Sequence, residues 1–321
     1  MAVSPKVTIG IISYNHVGYL PTTIKSALAQ TFEDFEIVIA DDGSTDGSLA
    51  IAESFAEKDA RVRVVTHPNH INGGISATCN LVIEQSRGEY IGLLGSDDAF
   101  YPYTVEEQVK FLEAHSEVGM VCGIAQFMNG SGELLPQTLG EDIWSQPDYL
   151  DTMIRANKVS APTVMVRRDC YEEVGLFVEE VEYNDYEMWL RILMFSDWKI
   201  GFINKPLALY RVHTENVSLN NSPKVNYSRN LNALLYIERK LHEKKRKLDA
   251  STHNLIKKGI TVATLDMFRF SAEEGKLSDA IHYLSRYVKR SPKEVLRPRR
   301  VASISYRIAQ SFTKAILSPK Q

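Results

Sequence analysis

Two pairs of adjacent carboxylates, Asp41-Asp42 and Asp97-Asp98, each follow a short apolar run, Ile37-Val38-Ile39-Ala40 in the first case and Tyr90-Ile91-Gly92-Leu93-Leu94-Gly95-Ser96 in the second. Acids ejected from two strand ends can converge on one point. Converging carboxylate oxygens suit a hard divalent cation and the phosphates it carries. Either pair alone reads as turn chemistry, because Asp bonds its own backbone and the glycine of Asp41-Asp42-Gly43-Ser44 accepts positive φ. The recurrence changes that reading: Asp97 and Asp98 adjoin an apolar strand, where like charges are costly unless a cation or solvent compensates them.

The elements that must position these acids follow from periodicity. Residues 7–12 form a buried strand that runs into the polar turn Ser13-Tyr14-Asn15-His16. A helix begins near Pro21, a residue tolerated in a first turn, and reaches about residue 29. Strands are predicted at 35–40, 61–65 and 89–94, with helices at 46–58, capped by Asp46, and at 75–85, ended by Gly88. Strand–helix alternation with short links implies βαβ units and a mostly parallel sheet, whose ligand crevice lies at the strands' carboxyl ends. Residues 118–128, 162–166 and 198–210 read as further strands, with a turn at Gly130-Ser131-Gly132 and a helix over 184–195. The pattern is helical from about 222, over 227–248, 254–270 and 276–287. Residues 272–292 faintly resemble a single tetratricopeptide-type hairpin and are read as helical packing. The predicted organisation is an α/β domain over residues 1–220 and a helical region over 221–321.

Composition is that of an ordinary globular protein, with 44% hydrophobic and 24% charged residues, and no apolar run approaches the roughly 18–20 residues that span a bilayer. Met1-Ala2-Val3-Ser4-Pro5-Lys6 contains no signal-peptide core, so the expected location is cytoplasmic. Cys79, Cys122 and Cys170 read as buried free thiols. The net charge of −3 hides an asymmetry: residues 286–321 hold ten basic side chains against one acid. A basic end on an acidic body points to an anionic surface, either membrane or nucleic acid.

The ordered set of motifs resembles glycosyltransferase family 2, whose members have the Rossmann-like GT-A fold. It comprises Ile11-Ile12-Ser13-Tyr14-Asn15, Ser26-Ala27-Leu28-Ala29-Gln30-Thr31-Phe32, Asp41-Asp42-Gly43-Ser44, Gly73-Gly74-Ile75-Ser76 with Asn80, Gly88-Glu89-Tyr90-Ile91 and Ser96-Asp97-Asp98. It continues with Arg167, Gly175-Leu176-Phe177, Asn184-Asp185-Tyr186-Glu187-Met188-Trp189-Leu190-Arg191 and Tyr210-Arg211-Val212-His213, and covers roughly residues 5–220.

The resemblance implies an inverting, hexosyltransferase-like enzyme that takes one sugar from a UDP-linked donor. Its acceptor would be a glycan or a lipid-linked saccharide, in surface-polysaccharide assembly. In that reading Tyr14 stacks on the base and Asp42 accepts the base N–H, with Ser13, Asn15, Asp41 and Asn80 around the nucleotide. Asp98 and His213 hold Mn²⁺ or Mg²⁺, Asp97 touches ribose or sugar, and Arg211 reaches the diphosphate. Asp185 is the catalytic base; its residue type and place equally suit a helix N-cap. The chain departs from many relatives at Cys79, where they carry Arg before the Asn.

Other readings fit less well. A sugar-nucleotide pyrophosphorylase needs a Gly-rich basic phosphate loop where this chain has Ser13-Tyr14-Asn15-His16, and a phosphatase needs a nucleophilic Asp at the position of Ala40. A degenerate glycan- or partner-binding module need not keep Asp42, Asp98 and Asp185. In residues 301–317, Val301, Ile304, Ile308, Phe312 and Ile316 form an apolar stripe flanked by Arg300, Arg307 and Lys314. Such a helix either lies on an anionic membrane or packs on the body or a second subunit of a homodimer; no nucleic acid is expected as a partner.

Overall fold

The structure is a computed structural model and describes residues 4–141, 149–181, 184–214, 216, 223–243, 248–292 and 302–309. It divides into two compact units, one of Met1–Thr152 with Lys158–Asn216 and one of Met153–Asn157 with Val217–Gln321.

The first unit starts as alternating strands and helices: β1 (Val7–Ser13), α1 (Leu20–Leu28), β2 (Phe35–Asp41), α2 (Ser48–Ala56), β3 (Val62–Thr66), α3 (Ile75–Gln85) and β4 (Tyr90–Gly95). β5 (Ala99–Phe100), α4 (Thr104–Ala114), β6 (Val118–Asn129), β7 (Leu134–Leu139), α5 (Tyr149–Arg155), β8 (Met165–Arg167), α6 (Arg168–Val174), α7 (Asn184–Phe195) and β9 (Lys199–Val212) follow. One sheet runs β3-β2-β1-β4-β8-β6-β9-β5, with β7 paired to β6. β3, β2, β1 and β4 are mutually parallel, and β8 joins β4 antiparallel. This mixed sheet with flanking helices is the GT-A fold.

Physical reasons for the elements are local. β1 and β2 are buried along almost their whole length, so they read as continuous apolar runs, as central parallel strands do. Ile9, Ile11, Ile37, Ile39 and Leu94 face α1 and α4 residues Leu20, Ile24, Val105 and Val109, while Val38, Ala40 and Val82 pack on the opposite face. Gly10 lets α3 approach β1, since a Cβ there would stand 2.3 Å from Val82 Cγ1. Arg167 donates to the Val118 carbonyl at 2.7 Å and lies over the Tyr90 ring, which fixes the junction of β8 with β4 and β6. All three cysteines are buried and free.

The strand order places the functional turns together. Reversal of direction about β1 and β4 opens the crevice of a doubly wound sheet. Register pairs Ser13 with Asp41 on one side of β1, and Ile12 with Gly95 on the other. β5, absent from the sequence-based expectation, pairs antiparallel with β9 at Ala99–Leu209 and Phe100–Ala208. That pairing draws Asp97 and Asp98 against the end of β9, where Arg211 and His213 stand.

Asp46 does not act as the expected N-cap of α2. The cap position is Gly47 with positive φ, and the Asp46 carboxylate instead accepts from Ser48 N and from Val17 N at 2.9 Å each.

The second unit holds α8 (Pro223–Glu243), α9 (Ala250–Glu273), α10 (Leu277–Arg290) and a helical stretch at 302–309. Asp249 caps α9 by accepting from Thr252 N at 2.9 Å. Phe268, Ala272, Ala280, Tyr287 and Ile304 form a buried cluster, with Ile308 packed against it. Within the described part of the tail the apolar stripe is therefore spent on protein, and Arg307 pairs with Glu273. The remaining stripe positions Val301, Phe312 and Ile316 lie outside the described residues. Among the described residues no helix is long and apolar enough to cross a membrane.

Candidate active site

The turn after β1 is locked to the turn after β2. Ser13 Oγ donates to Asp41 Oδ2 at 3.2 Å, and Ser44 N and Oγ donate to the same carboxylate at 2.9 and 2.7 Å. Asn15, with φ +49, donates its N–H to Ser44 Oγ and accepts from Thr45 N at 2.8 Å. Asp41 is fully buried and is consumed by this turn. Tyr14 projects between the turns and is 46% exposed, leaving a free aromatic face beside them.

Asp42 points the other way. Its carboxylate accepts from Gly73 N at 2.6 Å and from Gly74 N at 3.1 Å, and His67 Nε2 stands 3.5 Å away. Gly43, with φ +77, permits this contact, because a Cβ there would lie 2.7 Å from the His70 carbonyl oxygen. The loop pressed against it holds Asn69 and His70 successively in the left-handed region, with φ of +59 and +53. Strain of this kind persists where surrounding contacts over-determine it, here Asp42 and Gly43. A carboxylate offers about four lone-pair directions, so Asp42 keeps acceptor capacity beyond the two glycine amides.

The second acid pair divides in the opposite order. Asp97 Oδ2 lies 3.0 Å from His213 Nε2 and accepts from Asn216 Nδ2 at 3.4 Å. His16, whose Nδ1 is 2.8 Å from Ser96 Oγ, completes a group in which one ligand atom each of His16, Asp97 and His213 lies within 4.8 Å of the others. Asp98 turns inward, buried, and accepts the Arg211 N–H at 2.9 Å. Burial, reinforced by the negative charge of Asp97, pushes its carboxyl well above the usual range. The sequence pairs Asp98 with His213 as cation donors; in the structure the carboxylate that faces His213 is Asp97. Ladder geometry explains the shift. Ile12 pairs with both Ala40 and Gly95, so β4 closes one residue before the position where Asp41 closes β2, and Ser96 precedes the second acid pair.

Arg211 does not reach outward. Its guanidinium donates to the carbonyls of Asp97, Asn129 and Gly130 and lies 4.9 Å over the Tyr19 ring. It braces the acid turn. Asn80 is likewise structural: its side chain exchanges two hydrogen bonds with the Phe177 backbone, at 2.8 and 3.0 Å, and ties α3 to the Gly175-Leu176-Phe177 turn.

Asp185 stands in the first turn of α7, half-buried, with Oδ1 accepting from Tyr186 N at 2.7 Å. The positive end of that helix favours its ionised form. α7 is held by the buried pair Glu187–Arg191, whose guanidinium also donates to the Val174 carbonyl at 2.9 Å. Cys79 lies within the field of both Asp185 and Asp42; burial first, then these two carboxylates, push its thiol up to about 12. A neutral thiol thus stands on α3 between these two carboxylates.

His67 and Asn216 were not singled out from the sequence, and His16 and Ser96 appeared there only as members of a turn and a motif, with no role of their own. His16 and His67 each sit just beyond the carboxyl end of a strand, β1 and β3, and that position was the available signal.

A family model described as "Glycosyl transferase family 2" matches residues 8–175. The chain belongs to glycosyltransferase family 2. An uncharacterized glycosyltransferase of Rickettsia typhi is 31% identical over 232 residues, covering 68% of each chain. Staphylococcus aureus TarS 1–349, solved with UDP-GlcNAc, matches with a TM-score of 0.68 at 19% identity, covering 96% of this chain and 88% of that one. The Pyrobaculum calidifontis mannosyltransferase PcManGT, solved with GDP-Man and Mn²⁺, matches with a TM-score of 0.56 at 15% identity, covering 99% and 89%. At these identities the two solved structures establish the fold, and the site of this family 2 glycosyltransferase has to be argued from its own residues.

Proposed function

We propose that this glycosyltransferase moves one sugar, with inversion, from a UDP-linked donor to a hydroxyl of a glycan or lipid-linked acceptor in surface-polysaccharide assembly. The observation that carries this reading is the group of Asp97, His213 and His16, whose ligand atoms lie within 4.8 Å of one another, with His16 on the turn that also carries the exposed Tyr14. Tyr14 stacks on the base and Asp42 accepts its ring N–H. The base offers that N–H in uracil and also in guanine, as the donors bound to TarS and PcManGT illustrate.

Asp97, His16 and His213 form a mixed oxygen and imidazole donor set. That chemistry fits Mn²⁺ better than Mg²⁺, which prefers an all-oxygen shell. When bound there, the cation supplies charge neutralisation for the departing diphosphate. Asp185 removes the acceptor hydroxyl's proton as its oxygen attacks the anomeric carbon, and the bond to the diphosphate oxygen breaks in the same displacement. One base suffices, since no covalent intermediate forms.

Calorimetry with UDP, GDP, dTDP and CDP, each with and without Mn²⁺, tests the donor site on wild type and on Asp97→Ala. Mn²⁺-dependent UDP binding that the variant loses supports the reading. Preference for GDP would move the donor class, and no nucleotide binding under any condition would leave a degenerate binding module as the better account.

A further inference from the structure

Charge is divided between the two parts of the chain far more sharply than the tail alone suggests. Residues 217–321 hold 22 basic against 8 acidic side chains, and residues 1–216 hold 15 basic against 32 acidic ones. Within the helical unit the cations are unevenly placed. Arg290 of α10 pairs with Glu238 of α8 at 2.9 Å, and Thr261 of α9 lies 3.5 Å from Ser291. A cleft at the same place is lined by Leu241 and His242 of α8 and by His253, Ile256 and Lys257 of α9. The carboxyl ends of α8 and α10 therefore meet beside the amino-terminal half of α9, at one pole.

That pole carries Arg239, Lys240, Lys257, Lys258, Arg286, Lys289 and Arg290 among its described residues. Its three acids are already engaged: Glu238 by Arg290, Glu243 by Arg239 and Lys240, and Asp249 in capping α9. Lys257, Lys258, Arg286 and Lys289 have no ion-pair partner within 4.0 Å among the described residues, and the three lysines are exposed. The opposite end of the bundle is balanced, with Lys224 and Lys276 on Glu274 and Arg307 on Glu273. Arg286 and Lys289, near the carboxyl end of α10, complement its dipole, but Lys257 and Lys258 lie in the amino-terminal half of α9 and have no such explanation.

We propose that this pole is a docking surface for an anionic bilayer, held by lysine and arginine contacts with lipid phosphates. Two features favour a membrane over a soluble polyanion. Exposed Val288, next to Lys289 on α10, and exposed Val262, one turn from Lys258 on α9, set apolar side chains beside the cations, as interfacial surfaces do. A polyanionic acceptor would also have to enter a strongly acidic unit with buried carboxylates, whereas a lipid surface has only to meet one pole. The surface goes beyond the transferase reading and does not rest on it.

The test is vesicle co-sedimentation of the full chain without nucleotide. Vesicles of phosphatidylcholine alone are compared with phosphatidylcholine–phosphatidylglycerol mixtures, at low and high salt. Binding to the anionic vesicles alone, weakened by salt, is expected. A triple Lys257→Gln, Lys258→Gln, Lys289→Gln variant should lose on the order of a hundredfold in affinity, about fivefold per cation. The matching triple Lys→Arg variant should retain it, and circular dichroism of both should match wild type. Failure to bind anionic vesicles at low salt overturns the proposal, as does undiminished binding by the correctly folded Gln variant. Capture by inorganic polyphosphate with no vesicle binding would also overturn it, in favour of a polyanion site. Because no donor is present, none of these results depends on the nucleotide panel.

Discussion

The two acid pairs look alike in sequence and behave as mirror images in the fold. In the first, Asp41 is buried in its own turn and Asp42, buried as well, takes the Gly73 and Gly74 amides of the facing loop; in the second, Asp97 lies against His213 and Asp98 is buried under Arg211. The difference arises because β2 ends on Asp41 whereas β4 ends on Gly95, so Ser96 fills the level that Asp41 holds.

Exchanging outward for inward acids should break that symmetry. The largest effect is expected for Asp97→Asn, which should cut transfer on the order of a hundredfold or more and abolish Mn²⁺-dependent nucleotide binding, with little change in melting temperature. Asp42→Asn comes next: losing a charged acceptor of a base N–H should weaken nucleotide binding by about tenfold to a hundredfold, read by calorimetry. Asp41→Ala should instead act on stability, costing about 1–3 kcal/mol in urea unfolding by leaving the Ser13 and Ser44 donors without their acceptor.

Two further buried acids sharpen the contrast. For Glu36, burial raises the carboxyl's pKa, but hydrogen bonds from Arg87, Thr8 and Arg63 outweigh it and hold the pKa below the usual range. A depressed folded value means that its contribution is present above the unfolded pKa and lost as pH falls through the folded one. Thermal melts should therefore show an acid-side loss that Glu36→Gln flattens, by about 1–2 kcal/mol at neutral pH. Asp98, pushed up rather than down, should tolerate Asn with under ~1 kcal/mol lost, since an amide oxygen still accepts the Arg211 N–H.

Much of this was legible in the chain. The strands carrying Ser13, Asp41 and Gly95 are mostly apolar, broken only near their starts by Thr8 and Glu36, and their order implied a common crevice. The one-residue displacement of the cation carboxylate was not legible, because it depends on where β2 and β4 stop and on the two-residue β5 that pins Asp98 against β9. Arg211 and Asn80 were expected at the nucleotide; both are polar groups whose partners, the backbone carbonyls of Asn129 and Gly130 and the backbone of Phe177, are distant in sequence. The tail's stripe could not be assigned to lipid or protein by spacing alone, and Ile304 is settled by its contact with Phe268 and Tyr287.

The burial of all three native cysteines has a practical consequence. Burial pushes the thiols of Cys79 and Cys170 up to about 12, and that of Cys122 up as well, so the nucleophilic thiolate is scarce at neutral pH. A cysteine introduced on an exposed helix face, at Ser278 or Ser285 for example, would then be the fast-reacting site for a maleimide fluorophore or spin label. Single-site reporters can be attached to this protein without first building a cysteine-free background.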